Sequence, residues 1–148
     1  MIRVLVTGSR TWTDYNQVFA QLAGFKCEFG EVTVIHGGAP GADSLADRAA
    51  RTLGMATEVW RPDWGHCDQS CNHRLHRRAD HTTYCPAAGF RRNSKMVESG
   101  AHYCVAFLDP CRRVTCAKRK AHPSHGGEDC ASKAESAGID TRRILSLA

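Results

Sequence analysis

Short apolar runs alternate with amphipathic stretches along most of this chain. The apolar, β-branched segments predict strands at 2–6, 32–36, 57–60, 103–108 and 143–147. Apolar residues at helical spacing predict helices at 14–23, 44–53, 90–99 and 128–137. Such alternation predicts an α/β fold, a Rossmann-like three-layer sandwich with a mostly parallel sheet of about five strands.

Two Cys- and His-rich stretches interrupt this alternation. Residues 65–89 and 109–125 have neither helical nor strand periodicity, and loops of such length in a compact fold need another source of order. The chain has 148 residues, a length that suits one domain. We therefore expect residues 1–148 to form a single domain that carries both stretches as insertions.

The sequence predicts a cytoplasmic protein without membrane contact. No apolar run approaches the roughly 18–20 residues needed to cross a bilayer. The first apolar segment is also too short for a secretory signal. Eight cysteines and eight histidines are present, mostly mixed within the two insertions. In a reducing compartment this mixture favours metal binding over disulfides.

Each insertion contains enough cysteines and histidines to surround one zinc ion, at spacings close to those of zinc fingers. The expected ligands of a first zinc are Cys67, Cys71, His76 and Cys85, with His73 and His81 as alternates. The expected ligands of a second zinc are Cys111, Cys116, His122 and His125. With no obvious open coordination position, the prediction is one or two structural zincs, each worth about 10 kcal/mol or more in a small finger.

Three glycine-containing loops are expected at one edge of the sheet, namely residues 7–10, 37–43 and 124–127. Glycine lets backbone amides approach an anion, and the N-terminus of a following helix adds a positive dipole. These loops predict a phosphate site, although none matches the P-loop sequence. The expected ligand-binding residues are Gly8, Ser9, Arg10, Gly37, Gly38, Gly41, Asp43, Arg92, Asn93 and Gly126.

Aromatic and basic residues offer further contacts, each with a plainer alternative. The tryptophans Trp12, Trp60 and Trp64 fall near strand ends, where a ring either stacks on a base or packs in the core. A basic run in the second insertion comprises Arg112, Arg113, Lys118, Arg119 and Lys120. This run either contacts nucleic-acid phosphates or forms a solvated surface.

Four segments of the chain match a known pattern in order and spacing. They are Val-Thr-Gly-Ser-Arg-Thr-Trp (6–12), His-Gly-Gly-Ala-Pro-Gly-Ala-Asp (36–43), Arg-Arg-Asn-Ser-Lys-Met-Val (91–97) and Gly-Gly-Glu-Asp-Cys-Ala (126–131). They resemble the SLOG superfamily in its YspA-like, cpYpsA-related branch. The resemblance implies a Rossmann-like fold that binds nucleotides or nucleotide-derived ligands, with relatives that are either sensors or phosphoribohydrolases.

The hydrolase relatives, the LOG enzymes, carry a catalytic glutamate that by motif falls on Cys130. Cleavage of an N-glycosidic bond needs a carboxylate, which cysteine does not supply. Glu128 and Asp129 are the remaining catalytic candidates, although on a helix each points in another direction. The resemblance therefore favours ligand binding over catalysis.

Three hypotheses follow. The leading one is a sensor or a sequestering protein that binds a nucleotide-derived small molecule beside structural zinc. The second is a nucleotide phosphoribohydrolase. The third is a zinc-dependent module that binds nucleic acid or a protein partner. A homodimer is a further expectation, because related folds often pair.

Overall fold

The structure is a computed structural model that describes residues 1–118 and 120–146. Its strands are β1 (Ile2–Gly8), β2 (Val32–His36), β3 (Ala56–Val59), β4 (His76–Arg77), β5 (Thr83–Tyr84), β6 (Tyr103–Leu108) and β7 (Asp140–Leu145). Its helices are α1 (Tyr15–Phe29), α2 (Ala42–Thr52), α3 (Ala88–Glu98) and α4 (His125–Ser136). In this part of the chain no helix has the length and apolar character required to span a bilayer.

A five-stranded parallel sheet in the order β3-β2-β1-β6-β7 forms the middle layer. The predicted α/β class and the Rossmann-like parallel sheet are therefore confirmed. Strands β4 and β5 lie outside this sheet and form a short antiparallel hairpin within the first Cys- and His-rich insertion.

The two faces of the sheet bury different side chains because successive residues of a strand point in opposite directions. In β1, Val4 joins the core formed with α1 and α2, whereas Leu5 joins the core formed with α3 and α4. Cys104 and Cys130 are fully buried in the second core. These two thiols are therefore packing residues.

Element boundaries differ from the sequence prediction where polar or exposed residues hide the pattern. Helix α1 runs on to Phe29, beyond the predicted end at residue 23, because Phe25 still packs in the core. Helix α4 begins at His125, three residues before its predicted start. The last strand is the polar edge strand β7, which ends at Leu145, and the predicted end at Leu147 lies outside the described residues.

The order in which the chain adds strands to the sheet reverses between β1 and β6. From β1 it builds β2 and β3 on one side, and it later returns to add β6 and β7 on the other side. Ligands of open parallel sheets bind in the crevice outside the carboxyl ends of the strands at such a switch point. Here Gly8 and Leu108 end the two strands, so this crevice is the place to look for a site.

Two loops meet at Gly41, where the backbone takes a left-handed conformation with φ 78°. A Cβ at this position would lie 2.4 Å from the Ser9 carbonyl oxygen, and Ala42 donates a hydrogen bond to the same oxygen at 3.1 Å. We expect Gly41→Ala to destabilise the fold by about 1–3 kcal/mol, because a strained backbone and a backbone clash act together. Urea unfolding measures the change.

Gly24 in α1 provides the matched control. It is exposed, and a Cβ at this position would meet nothing within 4 Å. Gly24→Ala should therefore stabilise the fold by about 0.5–1 kcal/mol. Equal unfolding midpoints for the two variants would contradict the loop packing described here.

Candidate functional site

An open cleft of about 760 Å³ occupies the switch point. Its walls come from residues 7–11 at the end of β1 and directly after it, residues 110–113 after β6, residues 124–127 at the start of α4, and the first turns of α3. Trp64, directly before the first insertion, and Tyr84 within it add a further wall. The cleft therefore lies at the edge of the sheet where the strand ends converge.

Positive charge dominates the lining of the cleft. The arginines in the described lining are Arg10, Arg78, Arg92, Arg112 and Arg113. Asp43 is the carboxylate in the same lining. Five guanidinium groups in one cleft favour a ligand with phosphate or carboxylate groups.

Backbone amides of the loop 37–41 donate hydrogen bonds to neighbouring side chains of the same segment. Asp43 is 5% exposed, and its Oδ2 accepts hydrogen bonds from the amides of Gly37 at 3.0 Å and Ala39 at 3.2 Å. The Gly38 amide donates to His36 Nδ1 at 3.0 Å. Burial raises the pKa of Asp43, although these hydrogen bonds act in the opposite direction.

The glycines of this loop expected to bind the ligand lie away from the described cleft lining, although Ala39 of the same loop belongs to it. Gly37, Gly38 and Gly41 are not among the residues that line the cleft, because their loop folds around Asp43 and packs against residues 9–10. The predicted residues that the structure does bring together around the cleft are Gly8, Ser9, Arg10, Asp43, Arg92, Asn93 and Gly126.

Arg92 and Asn93 hold the walls of the cleft together. Arg92 donates to the carbonyl oxygens of Gly37 at 2.6 Å and Trp60 at 3.2 Å. Asn93 Nδ2 donates to the Gly126 carbonyl at 3.3 Å, which joins α3 to the start of α4. Burial lowers the pKa of Arg92, yet the nearby charge of Asp43 opposes this effect.

The N-terminus of α4 faces the cleft. Glu128 donates the first helical hydrogen bond, to the Ser124 carbonyl at 3.1 Å, so the amides of residues 125–127 precede the helical ladder. The Ser124 hydroxyl contacts that of Ser9, which also accepts a hydrogen bond from the Asp109 amide at 2.8 Å. A helix N-terminus with these hydroxyls is suited to an anion.

Close backbone packing fixes this helix against β1. A Cβ at Gly127 would lie 2.9 Å from the Cα of Gly8 and 2.7 Å from a methyl group of Leu108. Only glycine allows this approach, which brings the start of α4 to the end of the central strand.

Aromatic side chains line another part of the cleft. The Arg10 guanidinium lies 5.9 Å from the centre of the Trp64 ring, and Arg78 lies 4.5 Å from that of Tyr84. Phe90 also lines the cleft and is 40% exposed. These rings offer stacking surfaces of the kind that nucleobases use.

The other two tryptophans have structural contacts. Trp12 is buried in the core with its ring centre 5.5 Å from that of Phe107. Trp60 donates its indole hydrogen to Glu58 at 2.8 Å. Only Trp64 of the three lines the described cleft.

The carboxylates considered for catalysis are engaged elsewhere. Glu128 accepts hydrogen bonds from Arg143 at 2.9 and 3.0 Å, and these lower the pKa of Glu128. Asp129 accepts from Asn93 at 3.1 Å and from Lys133 at 2.9 Å. Neither carboxylate belongs to the described lining of the cleft.

The first Cys/His cluster consists of Cys67, Cys71, His73 and Cys85, whose ligand atoms all lie within 4.8 Å of one another. The structure places the alternate His73 in this cluster rather than the expected ligand His76. His76 begins β4 and places its ring edge-on to Tyr84, 5.7 Å between centres. The other alternate, His81, lies in the turn between β4 and β5 with a positive φ of 68° and is not part of the described cluster.

Arg91 completes the surroundings of the first cluster. Its guanidinium donates to the sulfurs of Cys71 at 3.2 Å and Cys85 at 3.0 Å. Burial raises the pKa of the Cys85 thiol, but hydrogen bonds led by that of Arg91 lower it to about 5. Cys85 therefore favours the thiolate, which is the form of cysteine that binds metal, whereas the hydrogen bond to Cys85 raises the pKa of Cys67 to about 12.

The second Cys/His cluster contains the four residues predicted for it, namely Cys111, Cys116, His122 and His125. The Nε2 atom of His125 lies 3.5 Å from the Cys111 sulfur and 3.4 Å from the Cys116 sulfur. Burial, together with the charge of Arg113, lowers the pKa of His125 and so favours the neutral imidazole that binds metal.

Both clusters have the dimensions of a tetrahedral metal site. Zinc–sulfur bonds of about 2.3 Å and zinc–nitrogen bonds of about 2.0 Å place tetrahedral ligand atoms about 3.3–3.8 Å apart. In the first cluster, the Cys85 sulfur is 3.7 Å from that of Cys71 and 3.4 Å from His73 Nε2. In the second, distances between such atoms run from 3.1 to 3.5 Å. Each cluster is therefore able to hold a metal ion.

The structure adds cleft residues that the sequence did not assign to the ligand. Arg112 and Arg113 line the cleft, whereas the sequence placed them in a basic run without a defined position. Their position directly after Cys111 is the signal that could have linked them to the site. Arg119, from the same basic run, lies outside the described residues.

Comparisons with known proteins agree with this architecture. A family model described as YspA, cpYpsA-related SLOG family matches residues 2–66. Gene 61 protein of Mycobacterium phage D29 is 38% identical over 143 residues, covering 94% of this chain and 93% of the relative.

Two solved structures share the fold. DNA processing protein A from Streptococcus pneumoniae has a TM-score of 0.64 at 18% identity. The Helicobacter pylori protein of the same name, which binds single-stranded DNA, has a TM-score of 0.63 at 14% identity. In both cases 99% of this chain is covered. The chain spans 51% and 66% of those longer chains, and at these identities the likeness shows the fold alone.

The composition of the first cluster is directly testable. We expect protein purified without chelators to carry two equivalents of divalent metal, because both clusters offer four ligands. His73→Ala should lose one equivalent, as measured by inductively coupled plasma mass spectrometry. His76→Ala is the matched control and should keep both. The reverse pattern would show that His76 is the ligand.

Proposed function

Because the chain belongs to the YspA, cpYpsA-related SLOG family, we propose that it binds a nucleotide or a nucleotide-derived ligand in the switch-point cleft. The observation that carries this proposal is the combination of five arginines with the N-terminus of α4 and three aromatic rings in one cleft. The binding serves a sensor or a sequestering role.

The phosphate of the ligand binds at the inner end of the cleft. Ser9, Arg10 and the amides of Gly126 and Gly127 supply the donors, and the dipole of α4 adds to their attraction. Arg92 and Asn93 contribute charge and shape this wall while they hold neighbouring loops in place. Asp43 is the acceptor for a ribose hydroxyl, because it is the carboxylate of the described lining.

The base of the ligand packs against the aromatic end. Trp64 and Phe90 offer flat apolar surface, and stacking on such rings stabilises a bound base by about 1–3 kcal/mol. This order places the phosphate near the sheet and the base near the first insertion.

Zinc is the metal proposed for both clusters. Three cysteines with one histidine, and two cysteines with two histidines, are donor sets of structural zinc. When bound, each ion would cross-link an insertion without contributing to a reaction, since four protein ligands leave no open position. The structural role is supported by the sparse burial of both insertions.

A hydrolase is the less favoured alternative. It needs a carboxylate at the cleft close to Gly126, and the bonds of Glu128 to Arg143 direct that group elsewhere. Incubation with nucleoside monophosphates and chromatography for free base tests this alternative. Base release that is lost in Glu128→Gln or Asp129→Asn would favour the enzyme.

A nucleic-acid partner is the other alternative, and the arginines of the cleft favour it as much as they favour a nucleotide. A strand held through its phosphates would bind with a steep dependence on salt. Titration of a short single-stranded oligonucleotide against bound ADP separates the two. Displacement of ADP would favour the nucleic-acid partner, and no displacement would favour the nucleotide. A homodimer stays a prediction, to be tested by light scattering.

The ligand proposal predicts the effect of removing Arg10. We expect Arg10→Ala to weaken ADP binding by about tenfold or more, because a charge-assisted hydrogen bond contributes about 1.5–3 kcal/mol. Isothermal titration calorimetry measures the dissociation constant. The matched control is Lys95→Ala, which removes an exposed positive charge of α3 outside the cleft lining. Equal affinities of the two variants would contradict the assignment of Arg10.

A further inference from the structure

The second Cys/His cluster belongs to the wall of the cleft. Cys111 and His125, two of its four residues, line the cleft themselves. Arg112 and Arg113 follow Cys111 directly and also line it. We infer that metal binding at this cluster presents Arg112 and Arg113 as ligand-binding residues, so that metal and anionic ligand bind cooperatively. This inference rests on the proposed function.

The loop between residues 109 and 125 has few other sources of order. It closes at its base, where the Cys111 amide donates to the His122 carbonyl at 2.7 Å and the Ser124 amide donates to that of Asp109 at 3.0 Å. Beyond this base, Val114 is fully exposed, and the Cys116 amide makes a local bond to the Arg113 carbonyl at 3.1 Å. The position of the two arginines therefore depends on the cluster.

His125 connects the cluster to the inner end of the cleft. It is the first residue of α4, and its Nε2 atom contacts the sulfurs of both Cys111 and Cys116, at 3.5 and 3.4 Å. The residues that follow it, Gly126 and Gly127, supply the amides proposed for phosphate. One side chain thus ties the metal cluster to the helix end and, through Cys111, to the arginines.

The charge of this loop predicts that metal and anionic ligand strengthen each other's binding. The described part of the loop carries Arg112, Arg113, Lys118 and Lys120 against Asp109, so ordering it brings excess positive charge to the cleft. Two of these cations, Arg112 and Arg113, line the cleft. An anionic ligand neutralises them and so stabilises the ordered, metal-bound loop. Linkage requires that the ligand raises metal affinity by the same factor by which metal raises ligand affinity.

The first experiment measures this reciprocity on the wild-type protein. Zinc affinity is determined by competition with a chromogenic chelator, with and without saturating ADP. We expect ADP to raise the zinc affinity of one of the two sites by about tenfold, within the usual range of coupling between sites. In parallel, Cys116→Ser removes a metal ligand that is not part of the cleft lining and should weaken ADP binding by a similar factor.

The second experiment separates the arginines from general charge. The double variant Arg112→Ala/Arg113→Ala should keep two zinc equivalents and bind ADP at least about tenfold more weakly. The control Lys118→Ala/Lys120→Ala removes the same charge from the same loop, outside the described lining, and should change ADP affinity less than about threefold.

The outcomes distinguish the inference from the proposed function. No ADP binding by the wild-type protein contradicts the proposed function and the inference with it. ADP binding that leaves zinc affinity unchanged, with equal losses in the two double variants, overturns the inference alone. If Cys116→Ser fails to fold, the wild-type reciprocity and the two double variants still decide.

Discussion

The reversal of strand order between β1 and β6 is the constraint on which the rest of the structure depends. A parallel sheet that grows in both directions from β1 leaves a crevice at the carboxyl ends of the two middle strands. Residues that directly follow β1 and β6 therefore line this crevice. The contact between Gly8 and Gly127 then brings the start of α4 to the same place.

The two insertions convert this crevice into a defined cleft. Neither insertion buries enough apolar surface to order itself, and each instead gathers four metal-binding side chains. The first insertion supplies Arg78 and Tyr84 to the cleft, and the second supplies Arg112 and Arg113. The segments that flank the first insertion add Trp64 and Phe90. Arg91, bonded to the sulfurs of Cys71 and Cys85, ties the first cluster to α3.

The sequence predicted the sheet and the second cluster well, for physical reasons. Buried strands such as β2 and β6 are continuous apolar runs, and the second cluster has one candidate for each of its ligands. Residue type alone could not show that Asp43 and His36 already satisfy the amides of the loop 37–41, since a capping and a phosphate-binding loop have the same composition. Nor could spacing choose His73 over His76, because the hairpin of β4 and β5 decides which ring faces the cysteines.

The central claim is that one anionic ligand contacts the ends of β1 and α4 and the loop after β6 together. Hydrogen–deuterium exchange of the zinc-loaded protein, with and without ADP, tests it most directly. We expect slower exchange on ADP binding in three separate segments, residues 9–11, 111–113 and 125–127. Unchanged exchange in these segments, with protection elsewhere in the chain, would contradict the claim.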